Sequence, residues 1–304
     1  YSTVGDYILD SKQYEVELKE KDNRTEIVYS KLKLTNKLNK GDLEFTKTDL
    51  VDGDVIPNTT IEIYTENDEL IFTDKTDKDG KVIIKNLPLN TKFYIIETDC
   101  EGYVITDEKV YFEIKEDGEV VKAEMKNKPI TGELEFTKLD FSTDEPIENT
   151  TIEIYDENDK LEFTGKTDKD GKIIIKNIRF GKHYILEKSA PSKYTLNKEK
   201  MYFEIKEDGE VVKATMKDKI KQGTLVFTKT DISGSEALPN TTIEIYDEND
   251  ELIFTGKTDK DGKIVLPKVN YGKYYILEKE APPNYTLNNE KMYFEIKEDG
   301  EVVK

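Results

Sequence analysis

The sequence repeats itself with a period of 91 residues. The same phrase opens at Gly41, Gly132 and Gly223, where it reads GDLEFTKTD, GELEFTKLD and GTLVFTKTD, and both intervals (132 − 41 and 223 − 132) equal 91. A unit of this length is a whole small domain, because the repeats of solenoid proteins span roughly 20–50 residues. The sequence therefore predicts a string of near-identical domains. Such a string is typical of proteins that span a distance, bind a ligand at several points or bear force, and not of proteins with a single active site.

The repeat divides the chain into four segments. Residues 41–130, 131–221 and 222–304 are three copies of the unit, and residues 1–40 match only the end of one. The third copy stops part-way through its predicted final strand, so we expect further copies on either side in a longer array. The linkers between copies (NKLNKG, NKPITG and DKIKQG) are short and restrict bending, which predicts an elongated rod.

Charge and cysteine content narrow the classes of partner. The formal net charge is −19 and no long basic run occurs, which argues against nucleic acid as a partner. Cys100 is the one cysteine in the sequence, so a disulfide framework is excluded. No apolar stretch approaches the roughly 18 residues that a membrane-spanning helix needs, and we expect no membrane contact.

Short strands separated by turn signals recur in each copy. TIEIY at residues 60–64 alternates apolar and polar side chains, as a half-buried strand does, and no window shows a sustained helical period. Two Asp-Gly pairs recur at matching positions in every copy, and such pairs are strong hairpin signals. The first falls at residues 79–80, and the second, at 117–118, is predicted to join VYFEIKE to EVVKAEMKN. The predicted fold class is all-β, with one compact Ig-like two-sheet sandwich per copy.

Polar residues end three of the apolar stripes that a period-two reading identifies. A Lys, a Glu and an Asn each occupy the last position on an apolar strand face of the first copy, and the second copy has Asp in place of Asn. The residues are Lys47, Glu97 and Asn127 in the first copy, Lys138, Glu187 and Asp218 in the second, and Lys229 and Glu278 in the third. One interpretation is that each is merely the polar end of a strand that reaches water. The other is that they are buried together, because complementary groups recur with the repeat.

Joint burial of these groups has a chemical use. Burial lowers the pKa of a lysine and raises the pKa of a glutamic acid. The neutral amine is then a nucleophile, and the protonated Glu can polarise an amide carbonyl and relay protons. The expected product is a Lys–Asn isopeptide bond with release of ammonia, or of water where the acceptor is Asp.

Several phrases resemble a known family. LEFTKTD, DKDGK, YYILEKEAPPNYTL and MKNK are similar to the Cna B-type (SpaA-like) domains of Gram-positive surface adhesins and pilins, and the resemblance covers every copy. It implies a prealbumin-like β-sandwich, a stalk function, an extracellular location with cell-wall anchoring elsewhere in the parent protein, and an autocatalytic isopeptide bond within each domain.

The resemblance also implies a role for each polar residue. The amine donors are Lys47, Lys138 and Lys229, the catalytic acids are Glu97, Glu187 and Glu278, and the acceptors are Asn127, Asp218 and, in the upstream segment, Asn36. Asp218 departs from the usual Asn of the family, although a Lys–Asp bond is chemically possible. The first copy also departs from the pattern, because its ETDCEGY replaces the EKxAPxxY of the other two.

Other signals add neither a cofactor nor a metal. The DKDG turns faintly resemble a calcium loop, but an EF-hand needs an acidic residue eleven places after the first Asp, and Pro88, Arg179 and Asn270 stand there. His183 is the one histidine, and its equivalent Tyr274 indicates a packing role, which leaves no triad or zinc site. We therefore expect no cofactor, no metal and no enzyme acting on a substrate.

Two functions remain open on the sequence alone. The first is a structural stalk, whose partners are the neighbouring repeats and, through a tip domain outside this chain, a host surface ligand. The second is a repeated ligand-binding module for host matrix or glycan, which predicts an exposed aromatic or apolar patch on every copy. The third copy is also predicted to have an open sheet edge. We expect this edge to be filled by residues beyond Lys304 or by strand 30–37 of another chain, which carries Asn36.

Overall fold

The computed structural model describes residues 7–8, 19–21, 24–26 and 37–304 of the chain. The chain divides into two compact units, Tyr1–Ile130 and Thr131–Lys304. Asn36 and its predicted strand, apart from Lys37, lie outside the described residues. The four strands that precede the first repeat form two antiparallel pairs, the first with the fourth and the second with the third. They are β1 (Tyr7–Ile8), β2 (Lys19–Lys21), β3 (Arg24–Glu26) and β4 (Lys37–Leu38).

Seven strands make up the first repeat and form two facing sheets. They are β5 (Lys40–Asp49), β6 (Thr60–Thr65), β7 (Leu70–Lys75), β8 (Lys81–Pro88), β9 (Lys92–Asp99), β10 (Val110–Glu113) and β11 (Val120–Asn127). The larger sheet is antiparallel and has the order β10–β9–β6–β7. The smaller sheet has the order β11–β5–β8, with β11 parallel to β5 and β8 antiparallel to it. The two apolar faces meet in a core that includes Phe45, Ile61 and Ile95.

The second unit contains two more sandwiches with the same strand order. The second repeat consists of β12 (Thr131–Asp140), β13 (Thr151–Asp156), β14 (Leu161–Lys166), β15 (Lys172–Arg179), β16 (Gly181–Ser189), β17 (Met201–Ile205) and β18 (Val211–Asp218). The third consists of β19 (Gln222–Thr228), β20 (Thr242–Asp247), β21 (Leu252–Lys257), β22 (Lys263–Asn270), β23 (Gly272–Glu280), β24 (Met292–Ile296) and β25 (Val302–Val303). The larger sheets run β17–β16–β13–β14 and β24–β23–β20–β21, and the smaller ones run β18–β12–β15 and β25–β19–β22.

Every regular element in the described part of the chain is a strand. The predicted fold class, a tandem array of all-β sandwiches, is therefore confirmed. The same ranges hold no helix with the length and apolar character needed to cross a membrane.

Alternation along the first strand of a repeat determines which side chains enter the core. β5 alternates half-buried and buried residues over its whole length, so Phe45 and Lys47 both point into the sandwich. The parallel strand β11 places Met125 opposite Lys47 and Asn127 opposite Asp49. Because residues two apart share a face of the sheet, Asn127 is the diagonal neighbour of Lys47.

The predicted Asp-Gly hairpins are wrong in one respect. The turns form, and Gly80 and Gly118 have φ of 67° and 80°. The flanking strands do not pair, however, because β7 and β8 belong to different sheets, and so do β10 and β11. An Asp-Gly pair favours positive φ, and a turn that carries the chain from one sheet to the other satisfies this preference equally well. The hairpin of the larger sheet joins β6 to β7 instead, through residues 66–69.

The third repeat has a shorter first strand and a shorter last strand. β19 ends at Thr228, one residue before Lys229, whereas β5 continues two residues past Lys47. Its parallel partner β25 is 2 residues long, against 8 for β11. Fewer ladder hydrogen bonds therefore hold the end of β19, which explains why it stops early.

Candidate functional site

Lys47 and Asn127 meet inside the first sandwich. Lys47 Nζ donates a hydrogen bond of 2.5 Å to Asn127 Oδ1, and the two residues are 0% and 1% exposed. They are 80 positions apart in the sequence and lie where β5 and β11 run side by side. The structure thus brings the predicted donor and the predicted acceptor together away from water.

Glu97 completes this group from the facing sheet. It lies on β9, and its Oε1 and Oε2 accept hydrogen bonds of 2.6 and 2.7 Å from Asn127 Nδ2. Its Oε2 also lies 3.3 Å from Lys47 Nζ, and neither of these two side chains has exposed surface. A single carboxyl therefore contacts both the amine nitrogen and the amide nitrogen.

Burial changes the chemistry of the amine. Loss of water around the ammonium lowers the pKa of Lys47 from its usual 10.5, and the nearby Glu97 carboxylate opposes this shift. A lowered pKa increases the fraction of neutral amine, which is the nucleophilic form.

The second repeat has the same arrangement with a carboxylic acid as the third member. Lys138 on β12 donates a hydrogen bond to Asp218 Oδ1 on β18. Lys138 Nζ lies 3.1 Å from Glu187 Oε1 on β16, and all three side chains are sealed from solvent. The change from Asn to Asp at Asp218 therefore leaves the predicted group assembled.

The second site holds one more acidic group than the first. Burial raises the pKa of Glu187 from its usual 4.5 to about 7; the Asn197 N–H and Lys138 oppose the shift, and the neighbouring Asp218 adds to it. Glu187 Oε1 and Asp218 Oδ2 are buried and accept no hydrogen bond from the described residues. A proton on one carboxyl supplies a donor for the other, so the two acids are best satisfied when they share a proton.

The third repeat holds two of the three groups. Lys229 Nζ lies 3.3 Å from Glu278 Oε2, and the Lys229 side chain is 20% exposed. A cavity of about 160 Å³ beside this pair is lined by residues that include Thr228 and Met292. The position that aligns with Asn127 falls after Lys304, so the described third repeat offers its lysine no equivalent acceptor.

A glycine turn positions the backbone of each lysine. Lys47 N donates to Gly80 O at 2.8 Å, and Ile56 N donates to Lys47 O at 3.0 Å. Gly80 has a φ of 67°, and a Cβ at this position would lie 2.7 Å from Lys47 O. Only glycine fits such a place. Gly171 and Gly262 make the same contact in the other repeats.

Two features of these sites were not identified from the sequence. Asp49 follows Lys47 on the same face of β5; it is buried, and its Oδ1 accepts a hydrogen bond of 2.6 Å from Val51 N. The period-two stripe could have identified it. A backbone N–H also reaches the catalytic Glu candidate, since Thr106 N donates to Glu97 Oε2 at 3.5 Å. No side-chain pattern signals a backbone donor.

The structure gives His183 a place in the packing of the second repeat. Its Nε2 lies 2.9 Å from Arg179 O, and its ring stacks on Phe203 with centroids 5.3 Å apart. Across the described ranges, no three His, Cys, Asp or Glu side chains are grouped as a set of metal ligands.

Comparison with known proteins decides the family. The SpaA prealbumin-like fold domain matches the chain three times, over residues 41–129, 132–220 and 223–304. The chain belongs to this family. Each match falls on one SpaA repeat, and the resemblance inferred from the sequence phrases is confirmed.

Individual proteins are also similar to this chain. Serine-aspartate repeat-containing protein D of Staphylococcus aureus is 29% identical over 165 residues, which cover 48% of this chain and only 12% of that protein. The Bacillus anthracis TIE protein is 35% identical with a TM-score of 0.69, over 88% of this chain and 50% of its own. A variant of BcpA, the major pilin subunit of Bacillus cereus, is 18% identical with a TM-score of 0.50, over 87% of this chain and 97% of its own, and shows the fold alone.

The family match shows that the chain is a series of SpaA repeats with the prealbumin-like fold. The chain spans only a small part of the curated relative that it matches.

Proposed function

We propose that this chain is a section of a stalk on a Gram-positive cell surface, in which residues of each complete repeat form an isopeptide bond that locks it. The observation that carries the proposal is the 2.5 Å contact between Lys47 Nζ and Asn127 Oδ1, with Glu97 against both groups and no water access. Burial of charged and polar groups is costly for a fold, and both complete repeats bury a Lys and a Glu with an Asn or an Asp. A catalytic use explains this arrangement.

In the first repeat, Lys47 Nζ attacks the side-chain carbonyl carbon of Asn127. The new C–N bond displaces the amide nitrogen, which leaves as ammonia. Glu97 contacts the attacking nitrogen at 3.3 Å and the leaving nitrogen at 2.6 Å. It therefore accepts the proton that Lys47 loses and transfers a proton to the leaving group, and it ends the reaction as it began.

In the second repeat, Lys138 Nζ attacks the side-chain carboxyl carbon of Asp218, and water leaves. An ionised carboxylate resists attack, so the acceptor must carry a proton. Glu187, with its pKa raised to about 7 by burial, neighbours Asp218 and is the source of that proton. The Lys138–Asp218 bond is thus chemically balanced without an added reactant.

The bond would carry tension past most of the repeat. The chain enters the repeat through β5 and leaves it through β11, and Lys47 and Asn127 join these two strands. A pulling force then passes through the bond and bypasses the 80-residue loop that it closes. An amide also resists reductants, which cleave a disulfide.

Force spectroscopy on the whole chain tests this function. We expect both complete repeats of the wild type to resist extension, and Lys47→Ala to add one unfolding event that releases roughly 280 Å, which is the 80-residue loop at about 3.5 Å per residue. Lys81→Ala is the matched control, because Lys81 forms a partly exposed ion pair on the same sheet. A wild-type chain in which the first repeat already extends by this length contradicts the proposal.

A second candidate function is a repeated ligand-binding face. It is supported by one tyrosine on the outer face of each larger sheet: Tyr111, Tyr202 and Tyr293 are 68%, 72% and 73% exposed. Exposed aromatic side chains that recur in tandem suit multivalent binding. Binding of the chain to immobilised host matrix or glycan, compared with a variant that carries Ala at all three positions, tests it; equal binding by both proteins rejects this face as the site.

A further inference from the structure

The loop between the fifth and sixth strands of each repeat reaches the catalytic carboxyl with a backbone N–H. Asn197 N donates to Glu187 Oε2 at 2.6 Å, and the equivalent donors are Thr106 N to Glu97 Oε2 at 3.5 Å and Asn288 N to Glu278 Oε2 at 3.0 Å. The contact therefore recurs in all three repeats, although the loop sequences differ.

The donor residue shapes the loop with its own side chain. Asn197 Oδ1 accepts a hydrogen bond of 2.9 Å from Glu199 N, two residues further on. Thr106 Oγ1 does the same for Glu108 N, at 3.1 Å. This local turn directs the donor N–H toward the interior, because the side chain is occupied on the outer side.

A lysine fixes the far end of the loop on the outer face of the larger sheet. Lys200 is the last residue before β17, and its Nζ lies 3.9 Å from the centre of the Tyr184 ring. It also lies 3.0 Å from Asp159 Oδ1, to which the Tyr184 hydroxyl donates at 2.7 Å. Lys109 and Lys291 occupy the same place in the other repeats, 3.9 and 3.7 Å above their tyrosine rings.

We propose that this loop is a positioning element for isopeptide bond formation, in which the backbone N–H of Asn197, Thr106 or Asn288 holds Oε2 of the catalytic Glu and so fixes the carboxyl against the reacting pair. The inference rests on the proposed function. Lys200, Lys109 and Lys291 are positioning residues that act through the loop. In the second repeat the N–H holds Oε2, and Oε1 is the oxygen nearest to Lys138 Nζ. In the first and third repeats the held Oε2 itself lies 3.3 Å from the lysine nitrogen.

The N–H also affects the protonation of the carboxyl that it holds. A hydrogen bond to a carboxylate stabilises the ionised form, so Asn197 N lowers the pKa of Glu187 against the larger effect of burial. The charged groups that face Glu187 are Lys138 from β12 and Asp218 from β18. The reaction uses the protonated and the ionised forms in turn, so loss of the N–H should shift the pH range in which the bond forms.

The test follows bond formation at the second repeat alone, in a full chain with Lys47→Ala. Chain recovered unfolded from inclusion bodies, with its unbonded mass confirmed, is refolded at a series of pH values, and loss of water is timed by intact mass. Asn197→Pro removes the N–H, whereas the control Asn197→Ala keeps it. We expect the limb of the rate–pH profile that reflects ionisation of Glu187 to lie about one pH unit higher in Asn197→Pro than in Asn197→Ala. If the loop is only structural, Asn197→Pro changes the yield of bonded chain but leaves the limb at the same pH, and that result overturns the inference.

A second pair of variants decides the question if Asn197→Pro does not fold. Lys200→Met frees the loop and should move the same limb upward by a smaller amount, and Lys200→Arg, which keeps the cation above the ring, should restore it. Identical profiles for Lys200→Met and its parent overturn the positioning role. Absence of water loss in the Lys47→Ala parent itself overturns the proposed Lys138–Asp218 bond, and the inference with it.

Discussion

Lys47 and Asn127 lie on neighbouring parallel strands, and the amine nitrogen of one is 2.5 Å from the side-chain oxygen of the other. Parallel pairing of the first and last strands sets their carboxyl ends side by side. One bond at this point therefore joins the first strand of the sandwich to the last, between residues that are 80 positions apart in the sequence. The predictions below follow from that placement.

Removal of the donor should weaken the first repeat. By the loop-entropy estimate used for disulfides, closure of an 80-residue loop contributes about 4.5 kcal/mol to the free energy of unfolding. We expect Lys47→Ala to lower the melting temperature of this repeat and to make it sensitive to protease. Lys81→Ala is the control, because loss of its surface ion pair with Glu44 should change stability by about 1 kcal/mol or less. Equal protease resistance of Lys47→Ala and Lys81→Ala would argue against a locking bond.

Cys100 offers a probe of opening that is specific to the first repeat. It is buried, and burial raises the pKa of its thiol to about 11. Alkylation at pH 8 thus depends on transient opening, because the exposed thiolate is the reactive form. Glu97→Gln should prevent the bond and accelerate labelling by up to about three orders of magnitude, which corresponds to the loss of about 4.5 kcal/mol. Unchanged labelling in this variant is the contrary result.

The second repeat should respond to pH when it is kept unbonded by Lys138→Ala. Burial raises the pKa of Glu187 from 4.5 in the unfolded chain to about 7 in the fold, and loss of the lysine removes an effect that opposes this shift. Because the pKa of Glu187 is higher in the fold than in the unfolded chain, the stabilisation that protonated Glu187 provides is present below about pH 4.5 and is lost as pH rises through 7. We expect the free energy of unfolding to fall by roughly 3 kcal/mol over this range. Adding Glu187→Gln should make the free energy of unfolding nearly independent of pH over this range. If the pH dependence persists in the double variant, a group other than Glu187 causes it.

The period-two pattern identified the polar residues on the apolar faces but left open whether they are buried. Because a strand places every second side chain on one face, a Lys at the end of an apolar stripe must either reach water or enter the core with partners. Lys47, Glu97 and Asn127 recur as a complementary set, and the fold buries all three. General chemistry suggested what a buried amine, acid and amide can do together, and the family resemblance assigned these roles residue by residue.

Other features depend on relationships that the local sequence does not contain. The Asp-Gly turn at Gly80 was predicted, but whether its flanking strands share a sheet depends on the partner of β8, which is β5 more than 30 residues earlier. The N–H of Thr106 that contacts Glu97 is a backbone group and has no residue signature. The exposure of Lys229 follows from the short pairing between β19 and β25, and its strand sequence does not reveal it.

Intact mass of the purified chain tests the central claim most directly. The account predicts a mass below that of the sequence by one ammonia and one water, from the Lys47–Asn127 and Lys138–Asp218 bonds. Glu97→Gln should restore only the mass of the ammonia, and Glu187→Gln only the mass of the water. Peptide mapping should locate each bond. A folded wild-type chain with the full mass of its sequence contradicts the account.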